Sequence, residues 1–189
     1  MDPAHFPPPT ISEIAFLGRS NVGKSSVLNS LAGDKIARTS STPGRTRAIN
    51  FFEVRRPGQP RPEWIFADLP GYGYAKLPRE ITNEWPTFIE PYLEKRESLA
   101  LCVALVDSKI PAQDSDKHLI EWLRNAGRNF IVIATKADKL SGNELPVAIR
   151  RLQSDLGVDR LIPYSSKTGA GKEDLWAAIR QACEQRTTA

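Results

Sequence analysis

Cysteine is scarce in this chain of 189 residues: only Cys102 and Cys183 occur. That excludes a disulfide framework or a thiolate metal cluster and predicts a reducing compartment, the cytoplasm. Cys102 lies in the apolar run Leu99–Val106 and reads as a small buried hydrophobe. The two histidines, His5 and His118, are far apart and have no metal-ligand spacing. Long hydrophobic runs are also missing. The best, Ala100–Val106, falls far short of the ~20 residues that a membrane-crossing helix needs. Residues Met1–Pro9 hold four prolines and no cationic start ahead of an apolar stretch. They read as a flexible lead-in over 1–12, not as a signal peptide. Neither sign of charge dominates: 26 Lys and Arg face 22 Asp and Glu, a net charge of +4. That excess permits an acidic partner such as RNA without requiring one. With 40% hydrophobic and 25% charged residues, the chain suits one globular domain with a full core.

What is present is an alternation of short apolar runs and longer amphipathic stretches. Strands are predicted at Ile14–Leu17, Ile49–Val54, Trp64–Ala67, Leu99–Val106, Phe130–Ala134 and Leu161–Tyr164. Helices are predicted at Lys24–Leu31, Ile81–Lys95, Gln113–Asn125, Leu145–Leu156 and Lys172–Cys183. Gly33 is placed to stop the first helix, and Pro86 and Pro91 predict a kink or break in the second. Strand–helix alternation predicts an α/β fold, a mostly parallel sheet between two helical layers. Ile49–Val54 and Trp64–Ala67, joined by the proline-rich turn Pro57–Pro62, predict one antiparallel pair.

The strongest motif is Gly18-Arg19-Ser20-Asn21-Val22-Gly23-Lys24-Ser25, which follows a strand and opens a helix. It has the P-loop pattern. Gly18 and Gly23 allow a tight turn, and the loop N–H groups at a helix N-terminus favour an anion. Lys24 offers a point charge to the β- and γ-phosphates, and Ser25 a hard oxygen to Mg²⁺. Near the end, Gly169-Ala170-Gly171-Lys172-Glu173 imitates the motif. Ser166 stands there in place of the first glycine and Glu173 in place of the hydroxyl. That stretch reads as a loop leading into the last helix.

Two further stretches bear on the base. Thr135-Lys136-Ala137-Asp138 follows a buried strand. An ionised Asp138 can accept from guanine N1–H and the 2-amino group, whereas adenine would leave it unpaired. Lys136 can lay its methylene stem along the base. Alone, the stretch could equally be a helix cap. Tyr164-Ser165-Ser166-Lys167 follows the last strand, where a backbone N–H could meet guanine O6; taken alone, it reads better as a polar loop capping the next helix. Asp68-Leu69-Pro70-Gly71 ends the third strand. Asp68 can hold Mg²⁺ through water, and the Gly71 N–H can touch the γ-phosphate. Thr46, in the polar loop Asp34–Arg47, can complete the Mg²⁺ shell only while the γ-phosphate is present. Those two loops would form an order–disorder switch.

These stretches occur in the order and spacing of the Ras-like translation-factor GTPases. Ala37-Arg38-Thr39-Ser40-Ser41-Thr42-Pro43-Gly44-Arg45-Thr46, Ile49-Asn50-Phe51-Phe52 and Asp68-Leu69-Pro70-Gly71-Tyr72-Gly73-Tyr74-Ala75 resemble the EngB family of bacterial ribosome-biogenesis GTPases. The resemblance runs from about Glu13 to Ala182. It implies a single Ras-like G domain over 13–186, a three-layer sandwich with a six-stranded, mostly parallel sheet. It also implies GTP and GDP binding with Mg²⁺, and a monomer; no membrane partner is expected. The implied role is in large ribosomal subunit assembly, with a link to cell division and septation. Gly44, Arg45 and Thr46 join the nucleotide site on this reading, and Lys24 and Thr46 serve the catalytic step. Tyr72 stands where Ras-like proteins carry a water-positioning Gln, which implies slow unaided hydrolysis. Thr135 stands where many relatives carry Asn, Thr being usual in EngB. Asn21 stands where potassium-activated relatives carry an Asn that helps hold K⁺. That Asn21 serves only the loop backbone is the alternative.

Two other readings compete. A small P-loop kinase would need a substrate lid, and no Arg-rich lid stretch is found. A nucleic-acid-binding module could use the basic segment Arg45–Arg61, although charged stretches are more often solvated surface. The switch loops and their flanks carry Lys35, Arg38, Arg45, Arg47, Lys76 and Arg79, with Tyr72 and Tyr74 among them. Such residues can neutralise phosphate and stack on bases, which predicts contact with ribosomal RNA of the large subunit or its precursor.

Overall fold

The computed structural model describes residues 6–34, 36, 49–56, 58–72 and 89–188. Among the described residues, six strands form one sheet in the order β2-β3-β1-β4-β5-β6. They are β1 (Ser12–Gly18), β2 (Asn50–Val54), β3 (Trp64–Asp68), β4 (Leu99–Asp107), β5 (Phe130–Thr135) and β6 (Leu161–Pro163). Every pairing is parallel except β2 with β3, so the predicted single antiparallel pair is present. The helices are α1 (Lys24–Ala32), α2 (Glu90–Lys95), α3 (Asp114–Asn125), α4 (Glu144–Leu156) and α5 (Lys172–Thr188).

The strand β4 explains the layers. Its side chains alternate, and both sets are buried. Cys102, Ala104 and Val106 join Leu93 of α2, Leu119 and Leu123 of α3 and Leu152 of α4 on one face. Leu101, Val103 and Leu105 join Leu28 of α1 and Leu175 and Ile179 of α5 on the other. A strand covered by helices on both sides must be apolar throughout, which is why it reads as an unbroken hydrophobic run. The Cys102 thiol lies inside this core, and burial pushes its pKa up to about 12.

Helix ends follow local chemistry. Gly33 closes α1 in the left-handed conformation (φ 74°), and its N–H bonds to the Asn29 carbonyl at 3.0 Å. Of the helix predicted over Ile81–Lys95, residues 81–88, with Pro86, lie outside the described residues. Pro91 sits in the first turn of α2, where a missing N–H costs nothing. The last helix runs past Cys183 to Thr188.

The lead-in is joined to the domain from Phe6 onward. The Phe6 ring lies 5.4 Å from Phe51 and 5.6 Å from Tyr92, centroid to centroid. The Arg96 guanidinium stacks over it at 5.6 Å and donates to the Pro7 carbonyl. Arg96 also donates to Glu13, a fully buried carboxylate that accepts from the Tyr92 hydroxyl at 3.0 Å. A buried charge needs this degree of pairing.

Candidate functional site

The chain reverses direction across the sheet at β1. Its two neighbours are β3 and β4, so the crevice beyond the C-terminal end of β1 is the switch point where α/β folds bind ligands. The Gly18–Ser25 loop fills that crevice. A Cβ on Gly18 would come within 2.8 Å of Val22 Cγ1 and 3.0 Å of Leu105 Cβ, so close packing demands glycine. Gly23 has φ 104°, which an L side chain resists. Asn21 has φ 64°, in the left-handed region that Asn tolerates better than most residues.

The start of α1 has no side-chain cap and no acidic residue in its first turn. It carries Lys24 instead, a cation at the positive end of the helix dipole. Lys24 is buried and ion-paired with buried Asp68, at the end of β3. A loop that keeps its N–H groups uncapped beside a buried lysine suits a phosphate.

The outer side of the loop is braced. Thr135 ends β5 and is 2% exposed. Its hydroxyl reaches the Val22 carbonyl at 2.6 Å and the Val106 carbonyl at 3.0 Å, sharing one proton between them. Lys136 Nζ donates to the Asn21 carbonyl at 2.9 Å and to Asp107 Oδ2 at 2.7 Å. Holding the Val22 carbonyl against Thr135 turns the Gly23 N–H, in the same trans peptide, toward the opposite side. Thr135 and Lys136 thus connect the Asp138 loop to the phosphate loop.

Beyond β5 the chain enters a 3₁₀ turn, Ala137–Lys139, through Lys136 at φ 61°. The Ala137 N–H bonds to the Tyr164 carbonyl at 3.1 Å, and the Tyr164 N–H to the Ala134 carbonyl at 2.8 Å. These two bonds sew the Asp138 loop to the loop after β6. Ser165, 1% exposed, donates from Oγ to Asp138 Oδ1 at 2.7 Å. That bond is the main reason the Asp138 carboxyl is held below its ordinary pKa of 3.8, with Lys139 and Lys167 helping. Asp138 is therefore an ionised acceptor, with its second oxygen, Oδ2, 3.8 Å from Lys139 Nζ. Tyr164 is fully buried and donates to Ser30 Oγ at 3.0 Å, and Ser166 is half-buried beside it.

Leu69 is buried with its N–H on the Phe16 carbonyl at 3.3 Å, and Pro70 is buried after it. Gly71 leans on the phosphate loop: a Cβ there would lie 3.0 Å from Ser20 Oγ and 3.1 Å from Ser20 N. The next residue, Tyr72, pairs with Arg19 as an isolated parallel bridge, and its carbonyl accepts from the Ser20 N–H at 3.2 Å. The Tyr72 ring packs against the core. Burial and the neighbouring Asp116 raise its phenol pKa, so it remains a donor.

The structure thus gathers Gly18, Arg19, Ser20, Asn21, Val22, Gly23, Lys24, Ser25, Asp68, Leu69, Pro70, Gly71, Thr135, Lys136, Ala137, Asp138, Tyr164, Ser165 and Ser166 at one end of the sheet. Gly44, Arg45 and Thr46 lie outside the described residues, as do Lys35, Arg38, Arg47, Tyr74, Lys76 and Arg79. For Mg²⁺, the described oxygen donors are the Ser25 hydroxyl and the Asp68 carboxylate beside Lys24. No group of three or more His, Cys, Asp and Glu residues that could hold a metal occurs among the described residues. These two hard donors fit Mg²⁺, which usually keeps waters and phosphate oxygens as its other ligands.

Two acids at the site escape a reading of motifs. Asp107 ends β4 as Asp68 ends β3, and that placement was its signal. Asp116 carries only the cap spacing from Gln113, which says nothing of its long-range partners. The imitation motif is a packing device: a Cβ on Gly171 would come 2.2 Å from the Pro163 carbonyl oxygen. Within the basic segment, Arg56 is bidentate on Glu63 at 2.9 and 2.6 Å, and Arg55 faces Glu53 at 3.4 Å. Those pairs are exposed surface and leave little net positive charge on the hairpin. No helix among the described residues is long and apolar enough to cross a membrane.

Several known proteins are similar to this chain. A family model described as "50S ribosome-binding GTPase" matches residues 13–136. The "Probable GTP-binding protein EngB" of Koribacter versatilis is 56% identical over 181 residues, covering 96% of this chain and 89% of the relative. The protein so named from Acidobacterium capsulatum is 56% identical over 186 residues, covering 98% and 88%. The crystal structure of a probable GTP-binding protein engB superposes with a TM-score of 0.74 at 28% identity, covering 92% of this chain and all of that one. By this family model and these relatives, the chain belongs to the EngB family of GTP-binding proteins.

Proposed function

We propose that this protein is a GTP/GDP switch that hydrolyses GTP slowly and acts on the assembling large ribosomal subunit. The observation that carries the nucleotide reading is the Asp138 carboxylate, kept ionised by Ser165 and joined through Thr135 and Lys136 to the phosphate loop. Base and phosphate recognition thus share one rigid frame. Mg²⁺, held by Ser25 and Thr46 directly and by Asp68 through water, would neutralise charge on the β- and γ-phosphates. Lys24 would leave Asp68 for phosphate oxygens when nucleotide binds.

Slow hydrolysis is supported by Tyr72. Its hydroxyl is 3.2 Å from Asp116 Oδ1 and its ring packs on the core, so no side chain there orients an attacking water. A K⁺ at Asn21 would add charge stabilisation, although the left-handed backbone by itself accounts for an Asn there.

The ribosomal role rests on the family. The relatives are named as GTP-binding proteins, and the family model as ribosome-binding. The cationic residues of the two switch loops would meet ribosomal RNA, and a link to cell division and septation rests on the EngB resemblance. The protein works as a cytoplasmic monomer. The test is co-sedimentation with large ribosomal subunits in GDP, in a non-hydrolysable GTP analogue, or without nucleotide. The analogue form should pellet most and should be released as salt rises. Equal pelleting in all three states at every salt concentration would refute the switch.

A further inference from the structure

We propose that Asp116 is a positioning residue that latches the start of the second switch loop to the phosphate loop, and so tunes preference for the γ-phosphate. This rests on the GTP reading above. Asp116 lies in the first turn of α3 and is 1% exposed. Oδ2 accepts the Gln113 N–H at 3.0 Å, an ordinary helix cap. Oδ1 does what a cap does not need. It accepts Arg19 Nε at 3.2 Å and the Tyr72 hydroxyl at 3.2 Å, from residues 97 and 44 positions away in sequence.

The backbone repeats the same join. Arg19 and Tyr72 form a parallel bridge, and the Ser20 N–H bonds to the Tyr72 carbonyl at 3.2 Å. Gly71 therefore lies between two fixed points, buried Leu69 and Pro70 on one side and latched Tyr72 on the other. A γ-phosphate contact made by Gly71 gains from being held in place beforehand. GDP makes no such contact and gains nothing. The latch also gives Tyr72 a purpose: the residue after Asp-x-x-Gly anchors the loop where Ras-like proteins position water.

The experiment compares GDP and a non-hydrolysable GTP analogue by titration against the wild type, Tyr72→Phe and Asp116→Asn. Removing this one part-buried, charge-assisted hydrogen bond should weaken analogue binding about five- to tenfold while GDP affinity changes less than about twofold. Single-turnover hydrolysis should slow in the same variants. Tyr72→Phe leaves the Gln113 cap intact, so it decides the matter if Asp116→Asn does not fold. A parallel fall in both affinities, or no change in either, would overturn the latch while leaving the GTP reading in place. A wild-type protein that bound neither nucleotide would overturn both.

Discussion

Replacing Thr135 by Val keeps the shape of a β-branched side chain at the end of β5 and removes only its hydroxyl. Thr135 is 2% exposed, so water cannot supply the missing donor. Its single proton serves the Val22 carbonyl at 2.6 Å and the Val106 carbonyl at 3.0 Å. Val106 is inside β4, paired with β5, whereas Val22 belongs to the phosphate loop. The loss therefore falls on Val22. A buried acceptor left unpaired costs about 1–3 kcal/mol. Urea unfolding of the ligand-free variant should show a loss of that size with an unchanged m-value. The loop would also have to re-form on binding, so GDP affinity should fall by roughly fivefold or more. Titration with GDP measures this on the same samples. A variant of lowered stability but unaltered GDP affinity would show that Thr135 is a core residue with no hold on the loop. A variant unchanged in both would contradict the geometry itself.

Other expectations follow from the same site. Asp138→Asn should weaken GDP by roughly a hundredfold, since charge-assisted bonds are lost, and should favour xanthine nucleotides, as competition binding would register. The Asp138 pKa is depressed, so the carboxylate is ionised above its ordinary value of 3.8 and its bonds are lost only as pH falls through the lowered one. GDP affinity between about pH 5 and 8 should therefore carry no titration from this residue, and a carboxylate-like transition near pH 5 would contradict the Ser165 bond. Ser25→Ala should weaken nucleotide binding much more with Mg²⁺ than with EDTA, and an equal loss in both would remove Ser25 from the metal site. If K⁺ is used, hydrolysis should run faster in K⁺ than in Na⁺, and Asn21→Gly, which keeps the left-handed backbone, should abolish the difference. Equal rates in the two salts would leave Asn21 as a backbone residue alone.

What the sequence determined by itself is local or periodic. The unbroken apolar run of β4 requires cover on both faces, and the short proline-rich link between β2 and β3 requires them to run antiparallel. Gly18 to Ser25 is contiguous, so its chemistry could be read without coordinates. The Thr135–Asp138 and Tyr164–Ser166 stretches were legible as types of site, because each follows a strand whose end must face the crevice. Their joining was not legible. The Ser165–Asp138 bond spans 27 residues and the Thr135–Val22 bond 113, and no spacing rule reaches across such distances. Thr135 looked like a substituted Asn, and only the folded chain showed its hydroxyl bracing the phosphate loop. Asp116 belonged to no motif, for the same reason. Its second oxygen gains Arg19 and Tyr72 only when β1, β3 and α3 are packed at one end of the sheet. Sequence carries the periodicity and the motifs because backbone sterics and hydrogen bonding act between near neighbours. Tertiary packing alone decides which distant polar groups share a buried acceptor, because burial removes water as the alternative partner.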